Sequence, residues 1–315
     1  MGKYLLRRFG FLILTLFVTS LLIFFITQWL PGDIAKILLG REAGAEALQA
    51  LRNELGLNRP LPVQYLDWLS GFFMGDWGRS YGNDVLVKPL VWSRFQNSMM
   101  LAGVTLGISI PISFLLGILS GITEGSWLDN VISISSLTVV GLPEFVTGLV
   151  LIELFAFQLD LLPANSSIPP GISFWDALPM LILPGLTATL VLIAYVARLV
   201  RAGVIEELKK PYVRTAELKG LPYYTVIIKH VLRNALLPAI TVLAISVGWL
   251  ISGLIVVENV FNYPGLGRLL VSAINNKDIP VIQAVAMLTV AGFALSNLLA
   301  DMLYAALDPQ IRLGT

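Results

Sequence analysis

Six apolar stretches, each long enough to cross a lipid bilayer, constrain this 315-residue chain more than any other feature. They cover residues 9–30, 97–123, 131–158, 177–199, 235–257 and 280–303. A span needs about 20 residues at 1.5 Å of rise each. Hydrocarbon offers no partner to a free backbone amide, so stretches of this length must be helices. The expectation is an all-α integral membrane protein with six transmembrane helices, one domain over residues 1–315. Composition supports it, with 56% hydrophobic and only 13% charged residues. A soluble domain carries roughly a quarter charged residues. The net charge of +1 argues against nucleic acid as a partner, and the absence of cysteine excludes disulfides, thiolate metal sites and a cysteine nucleophile.

The first stretch follows Lys3, Arg7 and Arg8, as a signal peptide would, but it is too long and ends without a small-x-small cleavage site. It reads as a retained span with a cytoplasmic N-terminus, and six spans return the C-terminus to the same side. Basic residues agree with this orientation. The connection before the fifth span holds Arg198, Arg201, Lys209, Lys210, Arg214, Lys219, Lys229 and Arg233, while residues 160–176 hold no lysine or arginine. The turn from Glu124 to Asp129 is an exception, placed inside by parity yet without a basic residue. Between the first two spans, residues 31–94 are expected to form an external cap along the outer membrane surface, with helices over 45–55 and 62–73 ended by Gly56 and a turn at Gly75 to Ser80.

The most informative polar segment is the cytoplasmic loop over residues 204–236. Pro211 suits the first turn of a helix, nothing breaks that helix before Lys219, and Gly220 supplies a left-handed C-terminal position. Pro222 then starts a second helix that runs towards Asn234 and merges into the fifth span near Pro238. Such a helix–glycine–helix elbow is expected to present Tyr212, Arg214, Thr215, Tyr223 and Tyr224 as exposed anchors, since Tyr and Arg dominate partner interfaces. The competing reading is a solvated loop whose basic residues serve topology alone.

The elbow resembles the ATPase-coupling motif of the permease subunits of binding-protein-dependent ABC importers, which reads Glu-Ala-Ala, three residues, Gly, nine residues, Ile-x-Leu-Pro. Ala216 and Gly220 fit; Arg214 and Thr215 replace the first two positions, and His230-Val231-Leu232-Arg233 stands where Ile-x-Leu-Pro would be. These departures are similar to the variant of the dipeptide, oligopeptide, glutathione and nickel branch, with Glu217 a local difference. The resemblance extends over nearly the whole chain, through Leu5 to Arg8, Leu30 to Asp33, Leu55 to Leu57, Gly75 to Gly78, Val257 to Arg268 and Ala306 to Arg312. It implies a type I ABC importer permease fold in the cytoplasmic (inner) membrane of a prokaryote. It also implies a homologous second permease, two ATPase subunits binding ATP and Mg, and an extracytoplasmic substrate-binding protein. The coupling residues it marks are Tyr212, Arg214, Thr215, Ala216, Gly220, Tyr223, Tyr224, His230 and Arg233. The cargo it implies is a dipeptide or oligopeptide, with nickel, metal chelates or glutathione as alternatives.

Independently of the resemblance, the chain has no phosphate-cradling Gly-rich loop, because its one Gly-Lys pair is Gly2-Lys3 followed by Tyr4. No cofactor or metal site is therefore expected in this chain, and energy must come from a partner. Intramembrane carboxylates are candidates for function. Glu144 and Glu153 either face a substrate pathway or pair with a neighbouring helix, Glu258 at the outer end of the fifth span is a third pathway candidate that could instead hold helices together, and Asp301 is expected to hold helices together. Gly103, Gly107, Gly117, Gly248 and Gly253 are expected at close helix contacts. A proton-coupled secondary transporter is the rival reading, but it leaves the elbow unexplained. An enzyme is disfavoured by the lack of any H-E-x-x-H or G-x-S-x-G pattern.

Overall fold

The computed structural model describes residues 2–29, 34–40, 43–54, 56–169 and 171–307. The motif pieces from Leu30 to Asp33, at Leu55 and from Asp308 to Arg312 lie outside the described residues. Helix α1 (Gly2–Gln28) is followed by α2 (Ile34–Leu39), α3 (Ala45–Glu54) and α4 (Leu61–Met74). Then come α5 (Val87–Ile122), α6 (Trp127–Gly141), α7 (Glu144–Ile152) continued by a π-turn (Glu153–Gln158), and α8 (Phe174–Leu208). The loop of interest holds α9 (Pro211–Leu218), α10 (Tyr223–Val226), a second π-turn (Ile227–Val231) and α11 (Leu232–Ala235). The chain closes with α12 (Leu237–Gly253), α13 (Ile255–Val260), α14 (Leu266–Asn275) and α15 (Ile279–Leu307). Among the described residues there is no strand, only an antiparallel bridge between Arg79 and Leu86.

Four helices are continuous and apolar over a full span: Leu6–Gln28, Val87–Ile122, Phe174–Leu208 and Ile279–Met302. The other two expected spans are broken, so among the described residues four helices are long and apolar enough to cross a membrane, and up to six if each broken pair counts as one. The expected span over 131–158 bends by 105° between α6 and α7. The cause is local. Pro143 clashes with a helical conformation at the residue before it, and Leu142 adopts an extended ψ of 133°. The expected span over 235–257 begins with a 47° bend at Leu236, where Pro238 sits in the first turn of α12, and ends at Leu254 before α13.

The centre of the molecule is the parallel pair α5–α8, along which residues 104–121 of one helix meet 185–204 of the other. Glycines on α5 let the two backbones approach: a Cβ at Gly117 would lie 2.6 Å from the Ala197 carbonyl oxygen, and one at Gly121 2.7 Å from Val204 Cβ. Gly248 likewise abuts Phe293, whereas Gly103 and Gly107 have nothing within 4 Å and make no close contact; the surroundings of Gly253 lie outside the described residues. Leu181, Leu183, Leu250 and Phe261 fill one core, between α5, α8, α12 and α13. Val87, Val91, Leu266 and Val285 fill a second, on the side where α14 and α15 begin.

Charged ties fix the helix ends. Asp129, 2% exposed, receives Arg201 in a two-pronged pair at 2.6 and 2.7 Å. The Gly125 amide adds a bond at 2.9 Å, and Ser120 donates a further one. Lys209 reaches Glu124 at 3.3 Å. The acidic turn from Glu124 to Asp129 therefore lies against the basic end of α8, which accounts for its lack of basic residues of its own. Asp301 holds α15 to α1 through Arg8 at 2.9 Å.

Removing one partner of a buried ion pair strands the other in low dielectric. Arg201→Ala is expected to destabilise the full chain by about 3–5 kcal/mol, and Asp129→Leu with Arg201→Met to recover most of that loss. Thermal unfolding of the detergent-solubilised chain measures both; an unchanged midpoint for Arg201→Ala contradicts the assignment.

Candidate functional site

The loop from Lys209 to Leu236 forms an elbow whose two limbs are helical. Lys210 caps α9, Pro211 occupies its first turn, and the helix stops at Leu218. Gly220 takes φ +76°, its amide bonds to the Glu217 carbonyl at 2.9 Å, and the Leu221 amide reaches back to the Ala216 carbonyl at 3.3 Å. This pair of reversed bonds is the Schellman closure that a left-handed residue permits. Pro222 is the capping residue of α10 rather than its first helical residue. The second limb is not a uniform helix, because the π-turn Ile227–Val231 widens it before α11 and the bend at Leu236.

The limbs close on each other and on α8. Val213, Ala216, Val226, Val231 and Ala235 are buried together with Val196, Val200 and Val204 of α8. A Cβ at Gly203 would lie 2.5 Å from the Ala235 carbonyl oxygen, so the returning limb presses directly on the α8 backbone. Glu207, buried at the end of α8, takes hydrogen bonds from Lys210 and from the Tyr212 hydroxyl. The His230 carbonyl lies 3.2 Å from the same hydroxyl, and Asn234 Nδ2 donates to it at 3.3 Å. Burial, and then the bond to Glu207, raise the Tyr212 phenol above the usual tyrosine range, so it remains a donor. The elbow is thus a braced unit continuous with α8 on one side and α12 on the other.

One expected anchor, Tyr212, and one other residue of the coupling motif, Ala216, point inward. Tyr212 is the internal brace and Ala216 part of the buried seam, because the three-residue spacing of Val213 and Ala216 turns that face of α9 onto α8. His230 is half-buried and contributes its backbone carbonyl. Arg214, Thr215, Tyr223, Tyr224 and Arg233 are exposed, as expected of a binding face. Leu218 (81% exposed), Tyr224 (68%), Leu221 and Ile228 form an apolar tip around Gly220. Leu218, Leu221 and Ile228 were missed in the sequence, although large apolar residues flanking an exposed glycine turn were visible there. Gly203 and Glu207 were also missed; one looked like an ordinary helical glycine and the other like one more surface charge.

The three candidate pathway carboxylates do not converge. Glu258 is 1% exposed and locked in the fold, accepting from Ser98 Oγ at 2.6 Å and from the Arg268 amide at 3.0 Å. Ser98 in turn accepts the Leu266 amide at 2.8 Å, so this carboxylate ties α13 to α14 and α5. Glu144 and Glu153 are nine residues apart, about two and a half turns, which places them on opposite faces of their helix. Glu153 is exposed on an apolar cleft of about 550 Å³ with Leu149, Val150, Leu154 and Phe157. Glu144 stands at the start of α7, beside the helix break, with Oε1 buried and without a hydrogen-bond partner. Among the described residues no group of three or more His, Cys, Asp or Glu side chains is placed to hold a metal ion.

Residues 113–313 match the family described as binding-protein-dependent transport system inner membrane component, and residues 1–115 match its N-terminal companion. The chain is 37% identical, over 99% of its length and 100% of the relative's, to a protein of Sinorhizobium fredii (strain NBRC 101917 / NGR234) named "Probable peptide ABC transporter permease protein y4tP". It is 37% identical to the "Glutathione transport system permease protein GsiC" of Pectobacterium atrosepticum, over 99% of each chain. Identity to the GsiC protein of Escherichia coli (strain K12) is 36%, again over 99% of each.

The turn at Gly220 isolates a conformational effect, since a Cβ there meets nothing within 4 Å. Gly220→Ala is expected to weaken the closure by about 1 kcal/mol, the penalty for a left-handed L-residue. Amide hydrogen exchange at Gly220 and Leu221 should speed up roughly fivefold in the variant, by the conversion of 1 kcal/mol. Unchanged protection would contradict the Schellman assignment.

Proposed function

The chain belongs to the inner-membrane components of binding-protein-dependent transport systems, and from that premise we propose that its braced elbow is the surface an ATPase subunit grips. It is a multi-pass permease subunit of an ABC importer, itself not catalytic, and works with ATPase and substrate-binding subunits. The observation that carries the coupling proposal is the combination of an exposed apolar tip with a base fixed to α8 and α12. A partner pulling on a flexible loop moves only the loop. Pulling on Leu218, Tyr224 and Ile228 moves two membrane helices.

In this reading the assembly holds a homologous second permease and two ATPase subunits, with ATP and Mg bound by the latter. The N- and C-termini and the elbow face the cytoplasm, and the cap faces outward. ATP draws the ATPases together, the elbows follow, and the broken helices α6–α7 and α11–α12 give where their backbones are already interrupted. The movement is rigid-body alternating access, with an interface in place of a chemical site.

The cargo is a short peptide or glutathione, in keeping with the relatives' names. Of the three carboxylates, Glu144 is the one retained for the pathway, because it is unpaired and sits at a helix break. Its proposed role is to meet the amino group of the passing peptide. Glu144→Gln is then expected to slow uptake of peptides with a free amino terminus more than uptake of amino-blocked ones, measured in proteoliposomes. Equal slowing of both would remove Glu144 from that role.

The coupling proposal is tested by Tyr224→Ala and Ile228→Asp in the co-expressed complex. A central interface anchor loses about 2 kcal/mol or more on truncation, roughly a thirtyfold weaker association. The expected outcome is loss of co-purifying ATPase with normal membrane insertion. Retained ATPase in both variants, or uptake driven by a proton gradient without ATP, would sink the reading.

A further inference from the structure

Helix α4 lies at a depth that its place in the sequence does not reveal. Its Tyr65 hydroxyl shares a hydrogen bond of 2.8 Å with Ser20 Oγ, and its Gln64 accepts from Gln28 Nε2 at 3.0 Å. Both partners belong to α1, whose apolar run ends at Gln28. Ser20 is eight residues earlier, about 12 Å further along the helix axis. Between them Phe24 packs against Tyr65 at 5.5 Å and Trp68 at 5.9 Å between ring centroids. The axis of α4 therefore crosses α1 near Phe24, below the level of Gln28 and within the hydrophobic length of the span. Amphipathic helices of the membrane interface lie at this level, about 5–10 Å into the boundary.

The faces of α4 fit that position. Tyr65, Trp68 and Phe72 turn towards the protein. Pro62, Leu66, Leu69 and Phe73, spaced by four, three and four residues, form a stripe on another face, flanked by Val63 and Met74. Phe73 is 78% and Met74 85% exposed, and no segment of the described chain covers them. Asp67 is the one charged residue of α4. It stands about 100° round the helix from Leu66, on the edge shared with Gln64, and pairs with Arg59 at 3.0 Å. Protein, apolar and polar faces thus follow one another around a single helix.

We propose that α4 is an in-plane helix seated in the leaflet at the Gln28 end of α1, with the Pro62–Leu66–Leu69–Phe73 stripe among lipid acyl chains. That leaflet is the outer one in the orientation proposed above. The occupant is lipid because the stripe continues the exposed apolar surface of α1 at the same depth. The segment between the first two spans is then anchored in the bilayer rather than resting above it, and it does so whatever cargo or ATPase the chain serves.

Because the chain contains no cysteine, a single introduced cysteine gives a unique labelling site. The full chain, with its partner subunits, is placed in phosphatidylethanolamine–phosphatidylglycerol vesicles with a nitroxide at Leu66→Cys or Phe73→Cys. Collision with oxygen, which concentrates in lipid, is compared with collision with a water-soluble nickel chelate. Phe17→Cys on α1 is the lipid reference and Asn83→Cys the water reference. The expected result is an oxygen-to-nickel ratio at both stripe positions shifted to that of Phe17→Cys, with Asp67→Cys shifted towards the nickel side. A ratio matching Asn83→Cys overturns the proposal in favour of water. Low collision with both reagents overturns it in favour of a protein partner on this face. Val63→Cys and Met74→Cys repeat the measurement should either first variant fail to fold.

Discussion

Two carboxylates buried against the Leu208 end of α8, Asp129 on α6 and Glu207 on α8 itself, govern the geometry of everything on that side of the molecule. Neither is tolerable in an apolar surrounding without charged donors. Asp129 draws in Arg201, Ser120 and the Gly125 amide, which pins the α5–α6 turn to α8. Glu207 draws in Lys210 and Tyr212, which pins α9 to the same helix nearly two turns beyond Arg201. The elbow's position follows from the need to satisfy these two groups. Its rigidity follows from the valine seam between them.

Where the helices are interrupted is equally instructive. The continuous helices α5 and α8 form the central pair, and their glycine contacts leave little room for one to move without the other. The interruptions fall on the elements packed around that pair: the break at Pro143, the bend at Leu236, and π-turns at Glu153–Gln158 and Ile227–Val231. π-turns inside helices are frequent at functional positions because they free a backbone group and alter side-chain register. Here one follows the candidate pathway segment and the other lies in the elbow. In the coupling proposed above, a motion entering at the elbow meets a continuous centre and interrupted flanks.

Much of this was legible in the sequence because it rests on local rules. Apolar run length located the four continuous spans and the two broken helix pairs, and the proline and glycine positions located the elbow and its left-handed turn at Gly220. Less legible was anything depending on which face of a helix meets another. Tyr212 carries a residue type that suits an exposed interface, yet α9 turns it inward because Val213 and Ala216 find the α8 valines. Glu258 looked like a pathway residue on the strength of its charge and depth. Only the folded chain brings Ser98 and the Arg268 amide to it across more than a hundred residues and ten residues respectively. The third span's bend was readable from Pro143, but its size was not, since the angle depends on how α7 packs against α8 and α13.

The claim on which the functional reading turns is that the apolar tip of the elbow touches an ATPase subunit in the working complex. Leu218→Cys in this cysteine-free chain, treated in native membranes with a short bifunctional thiol–amine crosslinker, tests it most directly. An adduct of the permease with an ATPase subunit, formed from Leu218→Cys and not from Asn83→Cys in the cap, is the expected result. No ATPase adduct from Leu218→Cys, in membranes where the assembled complex is demonstrably present, would contradict it.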